Sequence, residues 1–185
     1  MKSNDKRYIE NMRVKRSIQD ALFTLMEKKK FSEIRVSDII SESRVAKASY
    51  YRNFSSLEDI IYSYIDRMNN ELADLMPHQH DTDMSAIRQN LITLYAYYLE
   101  HKKEILLLCS NGFYESIQEN TDQFLINALG DMPSKSMERY NIFLLSGAIC
   151  HVQIEWLKNI SPESPDAFAD LNMKFIENNR NIFGL

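Results

Sequence analysis

The chain has 185 residues, enough for one medium domain or two small ones, and its 44% hydrophobic content with only 4 Gly and 4 Pro suits a helical globule. It contains no apolar run of the roughly 18 residues a membrane span needs. Its opening, MKSNDKRYIENMRVKR, lacks the apolar core of a secretory signal, so a cytoplasmic protein without a membrane span is expected. The net charge of −4 is unevenly spread: residues 1–56 hold 13 Lys and Arg against 7 Asp and Glu, and residues 57–185 hold 9 against 19. A basic first third suits contact with a polyanion, where Lys and Arg replace condensed counterions; a solvated basic helix face is the plainer alternative.

In chain order, Val14, Ile18, Ala21, Leu22, Leu25 and Met26 recur at helical spacing and predict a first helix over about 6–30. It closes on Lys28, Lys29 and Lys30, cations suited to a helix C-terminus. Phe31 and Ile34 follow as anchors of the turn. Val36, Ile39 and Ile40 predict a second helix to about Ser43, and a third runs from about Ala46 to Asn53 with Tyr50 and Phe54 on its buried side. Ser55-Ser56-Leu57-Glu58 has the spacing of a capping box and opens a fourth helix to about Met76. PHQHDTD, residues 77–83, is the clearest break. Helical segments are expected at about 84–102, 103–110, 113–129, 135–159 and 165–183, separated at Asn111-Gly112, at 130–133 and at 161–165. No strand alternation appears, and the expected fold class is all-α.

Residues 36–54, VSDIISESRVAKASYYRNF, carry most of the functional information. Val36, Ile39, Val45, Tyr50 and Phe54 can bury against Ile18, Leu22 and Leu25. That leaves Lys47, Ser49, Tyr51 and Arg52 pointing outward along one short helix. Lys and Arg reach phosphates or guanine edges, while Ser and Tyr hydroxyls bond phosphates and fix register. Two short helices around a tight turn, the second so decorated, suit a helix-turn-helix in the major groove. A surface hairpin of helices in some other bundle is the alternative.

The segment resembles the TetR family of bacterial transcriptional regulators. The resemblance runs through Ile18, Ala21, Leu25, Phe31, Val36, Ile39, Val45, Lys47, Ser49, Tyr51 and Phe54 to Glu58, Asp59 and Ile60, about residues 13–62 in one register. It implies a three-helix DNA-binding head, residues 1–56, joined by a fourth helix to a helical ligand-sensing and dimerisation body, residues 57–185. It also implies that Lys47, Ala48 and Ser49 lie nearest the bases, that Tyr51 and Asn53 meet the backbone, and that Arg52 does either. This chain departs from the family pattern in several places. Arg44 replaces the usual turn Gly, which costs on the order of 1 kcal/mol in a left-handed backbone. Ala46 lacks the usual capping hydroxyl, worth roughly 1 kcal/mol. Ala48 replaces Gly, and Leu57 replaces a DNA-facing Lys. Arg35 replaces the Ser or Thr before the second helix, adding a phosphate contact while Ser37 caps instead.

The body segment GAICHVQIEWLKNISPESPDAFA resembles that of TetR-like regulators related to dihydroxyacetone-kinase operon regulators. That resemblance implies a homodimer formed by the last two helices, with Gly147, Trp156, Phe168, Leu171 and Phe175 at the interface and Leu157, Ile176 and Ile182 beside them. Ordinary intrachain core is the alternative for these residues. A small-molecule pocket in the body would draw on Tyr95, Tyr98, Leu107, Cys109, Phe113, Tyr114, Phe124, Tyr140, Phe143 and His151, an aromatic lining for an unknown effector. Aromatics at helical spacing also fill plain cores.

Catalytic and metal chemistry find little support. His78, His80, Asp81 and Asp83 are ligand types in a loop with no third fixed partner. Cys109 and Cys150 lack the spacing of zinc or redox pairs and look like reduced core thiols. Glu115, Glu119 and Asp122 form a carboxylate stripe read as a solvated face. There is no phosphate loop, nucleophile elbow or His-Glu-x-x-His helix. The expectation is a dimeric, ligand-responsive repressor on a palindromic DNA operator, without cofactor or metal. The rival is a helical ligand- or protein-binding module, or co-activator, whose head no longer binds DNA specifically.

Overall fold

A computed structural model of the chain describes residues 2–76, 83–129, 137, 139–160 and 163–178, with backbone alone at 2–6, 124–125, 127–129 and 139. The described residues form helices α1 (Lys2–Met26), α2 (Val36–Ser43), α3 (Lys47–Asn53), α4 (Leu57–Leu75), α5 (Met84–Glu100), α6 (Lys102–Ser110), α7 (Tyr114–Leu129), α8 (Arg139–Lys158) and α9 (Pro165–Asn178), with a single 3-10 turn at Phe31–Glu33. Among them there is no strand. The chain divides into two compact units, Met1–Asn70 and Glu71–Leu185, so the first includes the N-terminal part of α4.

In the first unit α1 packs on α2 and α3. Ile18, Leu22, Ile39, Tyr50, Ile60 and Ile61 are fully buried, with Phe54 and Ile34 nearly so. The helical period of α1 and the four-residue step from Tyr50 to Phe54 direct these side chains inward. Val36, Val45, Leu25 and Phe31 are half-buried, and Ile34 is the deeper of the two expected turn anchors. The buried Gln19 is bonded on both sides: it donates to Ser63 Oγ (3.4 Å) and accepts from Arg67 Nε (3.2 Å).

Helix α1 ends four residues earlier than its sequence pattern suggests. The backbone N–H groups of Lys28 and Lys29 both turn back to the Leu25 carbonyl (2.9 and 3.0 Å), so the three lysines lie beyond the helix. The capping box of α4 is shifted by one residue. Ser56, not Ser55, accepts from the third helical N–H, Asp59 N to Ser56 Oγ at 3.1 Å, while Asp59 Oδ2 accepts from the N–H groups of Ser55 (2.9 Å) and Ser56 (3.1 Å). Leu57 therefore takes the first helical position.

In the second unit α5 packs along α9 and α7 along α8. Its centre is aromatic. Trp156 stacks on Phe168 with centroids 4.7 Å apart and planes 9° from parallel, and Tyr95 meets both edge-on at 5.8 and 4.7 Å. The indole N–H is satisfied by the Glu163 carbonyl at 3.0 Å. Gly112 takes φ 92 in the Asn111-Gly112 turn, a conformation that favours glycine. Asp83 caps α5 by accepting from Ser85 N at 3.0 Å. The expected metal-ligand types His78, His80 and Asp81 lie outside the described residues, as does Ile182.

Candidate nucleic-acid interface

The helix-turn-helix is built from short pieces held by their neighbours. Arg35 is the N-cap of α2, and Ser37 lies inside the helix rather than capping it. The cap comes from Asp38, whose Oδ2 accepts from Arg35 N at 2.9 Å and from Lys29 Nζ at 2.5 Å. The Lys29 hydrogen bond, with the Arg35 N–H behind it, holds the Asp38 carboxyl below the usual carboxylate range. At the other end of α2, Ser17 Oγ of α1 donates to the Ser43 carbonyl at 3.2 Å. Arg44 then turns the chain with φ 56 and ψ 24, the left-handed conformation anticipated at this position. It is the one non-glycine residue of positive φ among the described residues. The strain is on the order of 1 kcal/mol.

Helix α3 begins without side-chain help, since Ala46 at its N-cap bonds nothing through its side chain. Seven residues are too few for a helix that stands alone. Burial of Tyr50 and Phe54 holds it instead. The Tyr50 hydroxyl also donates to the Ser56 carbonyl at 3.3 Å, which ties α3 to the start of α4. Burial pushes the Tyr50 phenol above its ordinary pKa.

With those two rings inward, Lys47, Ala48, Tyr51 and Arg52 are exposed on the opposite side, and Ser49 and Asn53 are half-buried at its border. Tyr51 is 55% exposed despite lying edge-on to Tyr50 at 5.2 Å, so its hydroxyl is carried outward on a braced ring. Asn53 Nδ2 donates back to the Ser49 carbonyl at 2.8 Å, which occupies one of its amide hydrogens. Arg35 and Ser37 are exposed at the start of α2. The arrangement offers cations, hydroxyls and a phenol along two adjoining helix starts, groups able to bond phosphates and base edges.

The candidate residues of the second unit separate into three sets. Tyr98, Cys109, Phe113, Tyr114 and Leu107 are half-buried among α5, α6 and α7. Around Cys150, burial pushes the phenols of Tyr98 and Tyr114 up to about 12 and the Cys109 thiol up to about 11. Tyr95 is fully buried within the aromatic centre, and the side chain of Phe124 is outside the described residues. Tyr140, Phe143 and His151 are exposed. In the single chain they lie outside the buried face of α8, which Ser146, Cys150 and Gln153 take. Trp156 and Phe168, expected at a subunit interface, are spent on the intrachain core. Leu171 and Phe175 are 56% and 39% exposed on α9, and Gly147 is half-buried on α8.

Sequence reasoning missed a polar network in this unit. Gln118 Nε2 donates to Asp122 Oδ1 (2.9 Å) and to Ser146 Oγ (3.0 Å), and the Ser146 hydroxyl itself donates to Asp122. Asp122 thus departs from the solvated stripe of Glu115 and Glu119, both of which are exposed. Deeper in α8, the buried Gln153 side chain lies against the Tyr98 phenol. Ser146 and Gln153, seven apart among apolar residues, were the available signal.

No protein-family model matches the chain. The chain is 25% identical, over 178 residues, to the uncharacterized HTH-type transcriptional regulator YuxN of Bacillus subtilis (strain 168). That alignment takes in 86% of the chain but spans only 60% of the relative's length. Among solved structures, a TetR transcriptional regulator from Streptococcus agalactiae 2603V superposes with a TM-score of 0.66 at 13% identity, covering 94% of this chain and 98% of that one. The dihydroxyacetone kinase operon activator DhaS superposes with a TM-score of 0.60 at 19% identity, covering 92% and 97%. The chain is therefore TetR-like: it has the all-α fold of these regulators, with a helix-turn-helix in its first unit.

Proposed function

We propose that this protein is a cytoplasmic, dimeric transcriptional regulator that binds a palindromic DNA operator and represses until a small molecule occupies its body. The observation that carries the reading is α3 itself, with Tyr50 and Phe54 buried and Lys47, Ala48, Tyr51 and Arg52 exposed. The basic balance of residues 1–56 and the likeness to an HTH-type regulator support it. About four phosphate contacts per head, doubled in a dimer, correspond to a slope near −7 for log K against log salt. A symmetric dimer reads a symmetric site. Dimerisation is supported by the exposed apolar faces of α8 and α9, where Leu144 and Leu171 are 63% and 56% exposed. An effector site is supported by the polar groups gathered around Cys150: Tyr98, Cys109 and Tyr114.

Selection from a random double-stranded DNA pool tests the reading. Wild type should enrich a palindrome, Lys47→Ala should change its sequence preference, and Tyr51→Ala should weaken all sites alike. Failure of wild type to enrich any sequence would overturn it. Activation is the second reading of the sign of control, favoured by the similarity to an operon activator. A reporter carrying the selected site, with and without the protein, separates the two.

A further inference from the structure

The strained turn of the helix-turn-helix carries a cation that its geometry does not require. Arg44 sits at φ 56, where glycine would be unstrained, and its side chain is exposed. It makes no ion pair or side-chain hydrogen bond among the described residues. The lysines that follow α1 differ: Lys29 is held by Asp38 at 2.5 Å, and Lys28 lies 4.0 Å from Glu42. Those two cations are committed to holding α2, whereas Arg44 is committed to no partner among the described residues. A non-glycine residue kept in a sparsely populated conformation points to use of its side chain, because the fold itself would be served better by glycine.

The position is fixed from both sides. Ser17 holds the Ser43 carbonyl at 3.2 Å, and the half-buried Val45 follows, its N–H donating to Ser43 Oγ at 3.4 Å. Arg44 therefore stands two residues before the N-cap of α3, at the end of a recognition helix that enters the groove N-terminus first. A guanidinium there reaches the phosphates flanking the groove. We propose that Arg44 is a phosphate-binding residue of the DNA interface, supplying from the turn a contact that Leu57 at the start of α4 cannot make. The proposal rests on the DNA-binding reading of the head.

The test measures binding of wild type, Arg44→Gly and Arg44→Gln to the selected duplex across a salt series, with thermal melts of each protein. One contact per head, two per dimer, makes the slope of log K against log salt shallower by about 2 and weakens binding by about 60-fold at 0.1 M salt. Arg44→Gly should show that loss while melting no lower than wild type. Arg44→Gln keeps the side-chain bulk and backbone setting without the charge, so it should show the same slope change even if glycine alters the fold. An unchanged slope in both variants, with wild type binding tightly, overturns this inference and leaves the DNA-binding reading standing. A wild type that binds no duplex overturns both.

Discussion

Phe168→Ala examines the centre of the second unit, where structure and sequence expectation part. The ring is 5% exposed, stacked on Trp156 and edge-on to Tyr95. Burying a ring of this size contributes about 1.5–3 kcal/mol, and loss of two aromatic contacts adds about 1–2 kcal/mol. The sum, about 2.5–5 kcal/mol, overlaps the range of about 3–5 kcal/mol seen when a buried Phe is cut to Ala. Trp156 is the single tryptophan of the chain and lies against the lesion, so urea unfolding followed by its fluorescence reads the site directly. The folded variant should also emit to the red of wild type, since removing the stacked ring lets water approach the indole. A loss below about 1 kcal/mol with an unshifted emission maximum would refute the core placement and return Phe168 to the surface role suggested by the sequence.

Three further outcomes follow from the same geometry. Cys109, its thiol pushed up to about 11 by burial, should react with iodoacetamide at pH 8 roughly 100-fold more slowly than a free thiol, and a rate near the free value would contradict that environment. Asp38 and Asp59 both have depressed carboxyl pKa values, the first chiefly through Lys29 and the second through the Ser55 hydroxyl. Their stabilisation is complete above the unfolded value of about 3.9 and fades as pH falls through the folded values, so melting of the head should be flat from about pH 7 to 5 and drop below about pH 4. Asp59→Asn should flatten that drop, and an unaltered acid limb would remove Asp59 from the account. If the chain forms the proposed dimer through α9, Leu171→Glu, on its exposed side, should lower the sedimenting mass from two chains to one; a dimeric mass unchanged at micromolar protein would place the interface elsewhere.

The first unit was legible because its signals are local. Helix α2, expected from Val36 to about Ser43, spans Val36–Ser43, and α3 differs from expectation in that Ala46 serves as its cap. Tyr50 and Phe54, four apart, reveal an inward side without knowledge of any partner. Where local chemistry offered a choice, the reading slipped. Ser55 and Ser56 both precede α4, and only the backbone decides which hydroxyl meets the third N–H. Arg35 at the cap of α2 hid the true cap, because the carboxylate that serves it lies three residues on, shared with a lysine nine residues back.

The second unit resisted for a different reason. Trp156, Phe168, Leu171 and Phe175 all satisfy a helical apolar pattern, yet two are buried and two are exposed. Periodicity names a face but not what covers it, and α9 has apolar residues on two faces. Phe168, Met173 and Ile176 turn inward, while Leu171 and Phe175 remain outside. That second side carries Asp170 and Lys174 beside the exposed Leu171 and Phe175, a mixture that periodicity alone assigns neither to core nor to surface. The same holds on α8, where Leu144 is exposed one residue before the fully buried Leu145 and Ser146. Two apolar faces on one helix are what an element needs if it is to serve its own core and a second copy at once. Apolar residues on two faces make the sequence of the body ambiguous, whereas the head, whose outward face is polar, can be read from one chain alone.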